Sequence, residues 1–318
     1  MSNKNYKRYE GCQLRLMPLL GLVLSFILSA TPVYAESLIV LSRQLDSYQT
    51  VAESIAATLD APSRITTLSE LETDGFNTSN FEEVVAIGSK AADKLYSSIP
   101  AEQKLYASFL PRQTFLALLD KYKNHTRTRK KTITAIFLDQ PYSRQLSLAR
   151  LIVPQAKIVA TALGPNSKND LQLLENAADT NNFSLKYETL EETDNPIHKL
   201  QPLIRGADLF LSLPDKSVFN RTTAKWVLYI SFRQRIPLIG FSKKYVDAGA
   251  LAAVYSTPKG IGKQTAELVN KTTSSKTLPA GQYPAYFSVA TNPTAAKSLK
   301  VQLPSVDSIK AKLMELEK

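Results

Sequence analysis

Short apolar runs alternate with amphipathic segments along most of the chain. Ten apolar runs predict β-strands, and these are Leu38–Leu41, Ile65–Leu68, Val84–Ile87, Leu105–Phe109, Thr132–Leu138, Ile158–Leu163, Leu185–Leu190, Leu209–Leu213, Leu238–Phe241 and Ala252–Tyr255. Helical spacing of apolar residues is found between them, in Tyr48–Leu59, Thr114–Tyr122, Gln145–Ile152, Asp170–Ala178, Thr222–Arg235 and Ile261–Lys271. Strands that alternate with helices are typical of parallel α/β sheets.

The number of strands predicts more than one sheet. Ten strands exceed what one sheet of ordinary size holds, so the pattern favours two doubly wound lobes. No Pro-, Gly- or Ser-rich linker separates the two halves of the strand series. We therefore expect segments that cross directly from one lobe to the other.

The N-terminal segment, residues 1–35, has the pattern of a cleaved secretory signal peptide. Basic residues between Lys4 and Arg15 precede an apolar run from Leu16 to Leu28, and the small residues Val33 and Ala35 suit cleavage before Glu36. The apolar run is shorter than the roughly 20 residues that a membrane span needs. We predict export to the periplasm; the alternative is an uncleaved N-terminal anchor.

Removing this segment changes the charge and the available chemistry. The chain has 318 residues and a formal net charge of +11; residues 1–35 hold four basic residues and one acidic residue, which leaves +8. The only cysteine, Cys12, lies in the removed part, which excludes disulfides, cysteine catalysis and thiolate metal sites. The basic run Lys121–Lys131 is interpreted as a solvated loop, so no nucleic acid partner is predicted.

Catalytic and cofactor motifs are incomplete. The stretch GIGKQT, Gly260–Thr265, has Gln264 where a phosphate loop needs Ser or Thr. In GFSKK, Gly240–Lys244, a lysine replaces the second glycine of a nucleophile elbow. Neither His125 nor His198 has a second ligand at metal-binding spacing. We predict a binding protein with no cofactor and no metal, and not an enzyme; a secreted hydrolase is the alternative of a different class.

Polar or aromatic residues follow the predicted strands at the edge where open α/β sheets bind ligands. The candidate ligand-binding residues are Ser42, Arg43, Gly88, Ser89, Asp139, Gln140, Asn166, Ser167, Asp215, Phe241, Ser242 and Tyr255. Taken singly, the Ser, Asn and Asp residues are equally good helix caps. As a set that covers both lobes, these residues predict a shared cleft.

Four ordered blocks of the sequence resemble a known family. They are Thr134–Ser167 (TAIFLDQPYSRQLSLARLIVPQAKIVATALGPNS), Ala207–Asn220 (ADLFLSLPDKSVFN), Ile236–Val269 (IPLIGFSKKYVDAGALAAVYSTPKGIGKQTAELV) and Tyr286–Leu299 (YFSVATNPTAAKSL). They are similar to the substrate-binding proteins of ABC transporters of the tryptophan/tyrosine-type group, which have the type I periplasmic binding fold. The resemblance extends from about Thr132 to the end of the chain, and more faintly over Leu38–Phe109.

This resemblance implies an α/β fold with two Rossmann-like lobes joined by three crossover segments. The N-terminal lobe would comprise residues 36–139 and 253–279, and the C-terminal lobe residues 140–252 and 280–318. Gly249 and Ala250 would form a hinge before a crossing strand, Ala253–Tyr255. The implied function is closure on a small organic solute and its delivery, by a monomer, to an inner-membrane ABC permease; the alternative is a subunit that signals to a membrane sensor.

At two positions this sequence differs from the residues that are common in the family it resembles. Gly164 stands before Pro165 where relatives often have Asn, and Lys243 follows Ser242 where relatives often have an acidic residue. A cleft without that carboxylate would hold an ammonium group poorly. We therefore expect a less cationic ligand than a free amino acid, with a carboxylate or an aromatic part.

Overall fold

The first of two sheets lies in the N-terminal half of the chain. The computed structural model describes residue 1 and residues 36–317. Five parallel strands pair in the order β2-β1-β3-β4-β5, and their bounds are β1 Glu36–Leu41, β2 Ser63–Thr67, β3 Phe81–Ile87, β4 Lys104–Leu110 and β5 Ile133–Phe137. The helices between and after them are α1 Asp46–Ala56, α2 Leu68–Thr73, α3 Ser89–Ser98, α4 Arg112–Lys121 and α5 Thr126–Lys130.

The second sheet has six strands in the order β11-β10-β9-β8-β6-β7. Its strands are β6 Ile158–Leu163, β7 Ser184–Thr189, β8 Leu209–Leu211, β9 Leu238–Gly240, β10 Ala252–Tyr255 and β11 Ser288–Thr291. All neighbours are parallel except β10 and β11, which are antiparallel. The remaining helices are α6 Tyr142–Ile152, α7 Leu171–Thr180, α8 Pro196–Arg205, α9 Arg221–Gln234, α10 Lys243–Asp247, α11 Pro258–Thr272, α12 Pro293–Leu299 and α13 Val306–Leu316.

Apolar side chains cover both faces of the first sheet, as the continuous apolar runs predict. Successive residues of a strand point to opposite faces, so Leu38 and Val84 join one buried cluster while Ile39 and Val85 join another. Helices α1 and α11 supply the second cluster, and one large cluster forms the core around the second sheet. The predicted two-lobed α/β class is confirmed.

The chain passes between the sheets three times in the described residues. The first crossing follows β5, the second joins β10 to α11, which packs against α1 and β4, and the third leads to β11. Just before the third crossing, Gln282 forms an isolated bridge with Ile136 of the first sheet. These crossings replace a linker and leave an open space between the lobes.

The backbone pairing of two segments differs from the predicted lobe boundaries. Residues 253–255 pair with β9 and β11 in the second sheet, not in the N-terminal lobe. Gln282, predicted for the C-terminal lobe, exchanges backbone hydrogen bonds with Ala135 and Phe137 of the first sheet. Gly249 and Ala250 precede β10 and so lie a full strand length away from the second crossing, which begins at Ser256. Their role as a hinge stays a prediction.

The basic run Lys121–Lys131 is not simply a solvated loop. Arg127, on α5, is fully buried, and its guanidinium donates hydrogen bonds to the backbone carbonyls of Tyr96, Ile99 and Pro100 at 3.2, 3.1 and 2.6 Å. A buried cation needs such acceptors. One residue of the run is therefore a structural anchor for the end of α3.

No helix within residues 36–317 is long and apolar enough to cross a membrane. The predicted signal peptide, with Cys12 and the cleavage position, lies outside the described residues except for Met1.

Candidate functional site

Two adjoining cavities occupy the cleft between the lobes, at the carboxyl ends of the strands. The first chamber, of about 540 Å³, lies against the polar helix starts of both lobes, and the second chamber, of about 570 Å³, extends toward β9 and β10. Both volumes are in the range of small-molecule sites. The residues shared by the two chambers are Pro111, Leu138, Asp139, Gln140, Pro214 and Lys216.

An aromatic pair forms the first-lobe wall of the first chamber. Phe109 has a φ of 57°, and the pairing of β4 with β5 shifts register between Ser108 and Leu110. A bulky residue in the left-handed region is unusual and costs energy. Here the distortion turns the Phe109 ring into the chamber, where it packs edge-to-face on Tyr48 with centroids 5.9 Å apart.

A salt bridge joins the two lobes across the first chamber. Asp170, in the turn after β6, accepts hydrogen bonds from the side chains of Arg112 (2.6 Å) and Gln113 (2.5 Å), which begin α4 in the first lobe. It also accepts one from the Tyr142 hydroxyl at 2.9 Å. Burial raises the pKa of Tyr142, so this hydroxyl stays protonated and donates. Because the Asp170 side chain is only 7% exposed, the bridge is shielded from solvent.

Asp139 lies where the first crossing enters the cleft and lines both chambers. One of its carboxylate oxygens accepts the backbone N–H of Arg112 at 2.5 Å, which caps the start of α4. Burial raises the pKa of Asp139 to about 6, and the nearby negative charge of Asp170 adds to this, against the opposing effects of the Arg112 hydrogen bond and charge. This carboxyl group can therefore change protonation state in the physiological range.

The second chamber is mostly apolar. Phe219, Phe241 and Tyr255 line it together with the prolines and Leu138 shared with the first chamber. Polar groups lie among these side chains and come from Gln145, Asn220, Arg221, Ser242 and Ser256. Such a mixture of ring surfaces and a few polar groups suits an organic molecule with an apolar body.

Asp215 is buried in a hydrogen-bond network. Its carboxylate accepts from Ser167 Oγ at 2.7 Å, Asn166 Nδ2 at 3.1 Å and both the backbone N–H (3.0 Å) and the hydroxyl of Ser217. Burial by itself would raise the pKa of Asp215, but these hydrogen bonds outweigh it and the pKa is lowered. The network ties the loop after β8 to the loop after β6. Asp215 therefore has few acceptor positions left for a ligand.

The loop after β6 also explains a departure from the family pattern. A Cβ atom at Gly164 would lie 2.5 Å from Ser217 Oγ and 2.6 Å from a methyl group of Val218. Real Cβ atoms do not approach other atoms so closely, so only glycine fits while the Asp215 network is in place. The other departure, Lys243, pairs with Asp247 at 2.6 Å on an exposed face and does not line either chamber.

The structure brings most of the sequence-predicted site residues to the chambers. The residues that line one or both are Ser89, Asp139, Gln140, Asn166, Ser167, Asp215, Phe241, Ser242 and Tyr255. Ser89 is the first residue of α3 and follows Gly88. Among the described contacts, its hydroxyl makes no hydrogen bond. Contact between these residues and a ligand remains a prediction.

Three predicted residues do not line the chambers. Ser42 Oγ donates to the Ile87 carbonyl at 2.8 Å and accepts from the Ala91 N–H at 2.9 Å, which fixes the start of α3. Gly88 has a φ of 87°, and a Cβ there would lie 2.7 Å from the Tyr48 hydroxyl oxygen. The Arg43 side chain is exposed. Ser42 and Gly88 thus support the wall of the cleft from behind.

Several cleft residues were not predicted from the sequence, and these are Tyr48, Phe109, Arg112, Tyr142, Asp170 and Tyr283. Arg112 follows β4 by two residues, so the strand-end rule, applied to the fourth strand, would have found it. Tyr283 lies in the third crossing, where no strand or helix pattern marks it.

Hydrogen bonds connect the three crossings beside the cleft. Gln140 Nε2 donates to Ser256 Oγ at 2.6 Å, and Ser256 Oγ donates to the Tyr286 carbonyl at 3.2 Å. From α6, the buried Arg144 donates to Gln140 Oε1 at 2.6 Å and to the Pro284 carbonyl at 2.8 Å. The Gln140 amide is therefore engaged on both sides. Any movement of one lobe must act on all three crossings together.

The described residues contain no group of three or more His, Cys, Asp or Glu side chains arranged to hold a metal ion. The chemistry of the cleft is thus that of aromatic rings, hydroxyls, amides and a few charged groups.

Comparison with solved structures finds the same two-lobed fold. A ligand-free, open substrate-binding protein with adhesive properties from Clostridium difficile has a TM-score of 0.67 at 16% identity, covering 86% of this chain and 97% of that chain. A conserved domain protein from Vibrio cholerae gives 0.57 at 17% identity, with coverages of 87% and 97%. The ABC domain in complex with L-Trp from Streptococcus pneumonia gives 0.56 at 14% identity, with coverages of 86% and 98%. No curated protein matches the sequence.

A family assignment comes from the sequence itself. The sequence model described as "ABC transporter substrate binding protein" matches residues 115–313. This range runs from α4 to α13 and includes all three crossings and the second-lobe wall of both chambers. The chain belongs to the family of ABC transporter substrate-binding proteins.

Proposed function

We propose that this protein is a periplasmic, monomeric binding protein that closes its lobes on a small organic solute and delivers it to an inner-membrane ABC permease. The main support is the position of the two chambers: residues of both lobes line them, and three short, hydrogen-bonded crossings together with the Arg112–Asp170 salt bridge connect those lobes. A ligand held between two lobes favours the closed arrangement, because only that arrangement contacts it from both sides.

The ligand would place an apolar, flat part in the second chamber, against Phe219, Phe241 and Tyr255. Aromatic faces favour stacked or edge-on ring contacts over contacts with charged groups alone. Its polar part would lie toward Asp139 and Lys216, which line both chambers. An aromatic solute such as the L-Trp of the Streptococcus complex is therefore a suitable first probe.

Asp139 and Lys216 would allow either a positive or a negative ligand group where the two chambers meet. A ligand ammonium group would pair with Asp139 and lower its pKa, whereas a ligand carboxylate would pair with Lys216. Lys243, whose presence in the sequence argued against an ammonium group, lies outside the chambers. Asp139 and Lys216, the charged residues that line both chambers, would thus have the largest influence on the ligand charge, and Arg221 would add a positive charge in the second chamber.

Native mass spectrometry of protein purified from the periplasm without refolding tests the proposal, since a tight ligand survives purification. The mass found identifies the solute, which is then titrated in small-angle scattering and thermal unfolding. We expect compaction and a higher melting temperature, because only the folded cleft binds. Identical scattering profiles with and without saturating ligand would contradict a closing cleft.

A further inference from the structure

Helix α9 exposes an aromatic stripe on the second lobe. Trp226, Tyr229 and Phe232 are 43%, 52% and 63% exposed, whereas Val227 and Ile230 of the same helix are buried in the core. Spacings of three residues place the three rings on one side of the helix. Trp226 and Tyr229 pack edge-to-face with centroids 5.9 Å apart. A contiguous exposed patch of large rings is typical of an interaction surface.

The surroundings of this stripe are basic. Lys225 and Arg233 are exposed on the same helix side, and the Arg233 guanidinium lies 5.9 Å from the centroid of the Tyr229 ring. From Lys216 to Val246 the sequence has seven Lys and Arg residues and no Asp or Glu. Of these seven, Lys216 and Arg221 line the cleft and Lys243 pairs with Asp247, which leaves Lys225, Arg233, Arg235 and Lys244. Whatever covers the stripe therefore has to combine negative charge with an apolar layer.

Charge disfavours two candidates from this protein itself for covering the stripe: a second copy of the chain and its N-terminal segment. A second copy related by a two-fold axis would set the same cations against each other. The N-terminal segment that precedes the described residues is itself basic, with four Lys and Arg and one Glu in residues 1–35. Both would add like charge to the stripe instead of neutralising it.

The size of the stripe disfavours a folded protein partner. With the exposed fractions above, the three rings offer about 300 Å² in total. A stable protein–protein interface needs about 800 Å² from each partner, so a protein would also have to cover about 500 Å² of the basic surface around the rings. A lipid surface needs no such area, because a few inserted rings combine with the Coulomb attraction between Lys or Arg and anionic headgroups.

We infer that the α9 stripe binds the surface of an anionic lipid bilayer. The rings of Trp226 and Tyr229 suit the headgroup level, where amphipathic rings are enriched in membrane proteins. Lys225 and Arg233 lie beside them to contact lipid phosphates. Because α9 begins at the cleft, where Arg221 lines the second chamber, this contact holds the second lobe against the membrane from which a permease would accept the ligand.

The chain contains one tryptophan, Trp226, which makes the test direct. Its fluorescence reports the environment of α9 alone, because residues 1–35 contain no tryptophan. On adding vesicles of phosphatidylglycerol to the full chain at low salt, we expect a blue-shifted emission and protection from a water-soluble quencher. Vesicles of phosphatidylcholine should leave both unchanged, and high salt should reverse the effect.

Charge variants separate the stripe from general electrostatic attraction. The double variant Lys225→Gln/Arg233→Gln keeps the tryptophan and should weaken phosphatidylglycerol binding by about twenty-fivefold, at roughly fivefold for each cation. The control Lys297→Gln/Lys312→Gln removes the same charge from exposed positions on α12 and α13 and should bind like the unmodified chain.

Several results would overturn the proposal. Unchanged Trp226 emission with phosphatidylglycerol vesicles excludes contact with the bilayer. Equal losses of binding in the two double variants mean that only net charge matters. A blue shift that grows with protein concentration in the absence of vesicles assigns the stripe to a second copy, and one that requires an added permease assigns it to a protein partner.

Discussion

Replacing Asp139 by Asn should stabilise the unliganded protein at neutral pH and remove part of its pH dependence. Burial raises the pKa of this carboxyl group from 3.8 to about 6. The folded state therefore binds a proton more tightly than the unfolded state, so stability falls as the pH rises through the interval between these two values. The difference between these two pKa values corresponds to about 3 kcal/mol of unfolding free energy at full ionisation. Asn is isosteric and can still accept the Arg112 N–H.

The assay is urea unfolding of the wild-type chain and Asp139→Asn over a series of pH values. The difference in unfolding free energy should be near zero below pH 3.8 and grow to about 3 kcal/mol above about pH 6, in favour of the variant. Asp307→Asn, at an exposed position on α13, is the matched control and should show no such difference. Parallel pH profiles for wild type and Asp139→Asn would refute the argument that burial controls this group.

Four further substitutions test the cleft and the predicted hinge. Ser89→Ala should weaken ligand binding by about 1 to 3 kcal/mol in titration calorimetry if its hydroxyl contacts the ligand; a lower melting temperature with unchanged affinity would make Ser89 a structural residue only. Gly164→Ala should lower the melting temperature, by overpacking worth about 1 to 3 kcal/mol, because its Cβ would lie 2.5 Å from Ser217 Oγ. Gly249→Val should lower stability through strain of about 1 to 3 kcal/mol at a φ of 124°, and Ala250→Val through overpacking of a fully buried position. Neither should reduce ligand affinity selectively, and a selective loss for Gly249→Val would support the hinge hypothesis.

All ten predicted runs overlap strands of the structure. Eight of these strands are mostly buried and largely apolar, as strands covered by helices on both sides are, whereas the edge strands β2 and β7 have one buried residue and none. The missed strand, β11, has one buried residue, Val289, among four. It lies at the edge of the second sheet, antiparallel to β10, where one-sided pairing does not require an apolar run.

Burial of a charged residue is invisible in composition. Arg127 lies in a run of basic residues that resembles a solvated loop, yet it is fully buried against backbone carbonyls at the end of α3. These acceptors come from residues 24 to 31 positions earlier in the chain. No local pattern distinguishes this arginine from its exposed neighbours, because its partners are backbone groups that every residue has.

The sequence predicts those cleft residues whose position depends on one lobe alone. Ser89 and Ser242 follow single strands, so the strand-end rule finds them. The salt bridge between Arg112 and Asp170 joins residues 58 positions apart in different lobes, so it depends on how the lobes face each other. That pairing removes Asp170 and Arg112 from the charges available to a ligand, and it leaves Asp139 as the acidic group shared by both chambers, with its pKa raised by burial. In the proposed function, the ligand preference therefore depends on a contact between lobes, which the sequence of either lobe alone does not contain.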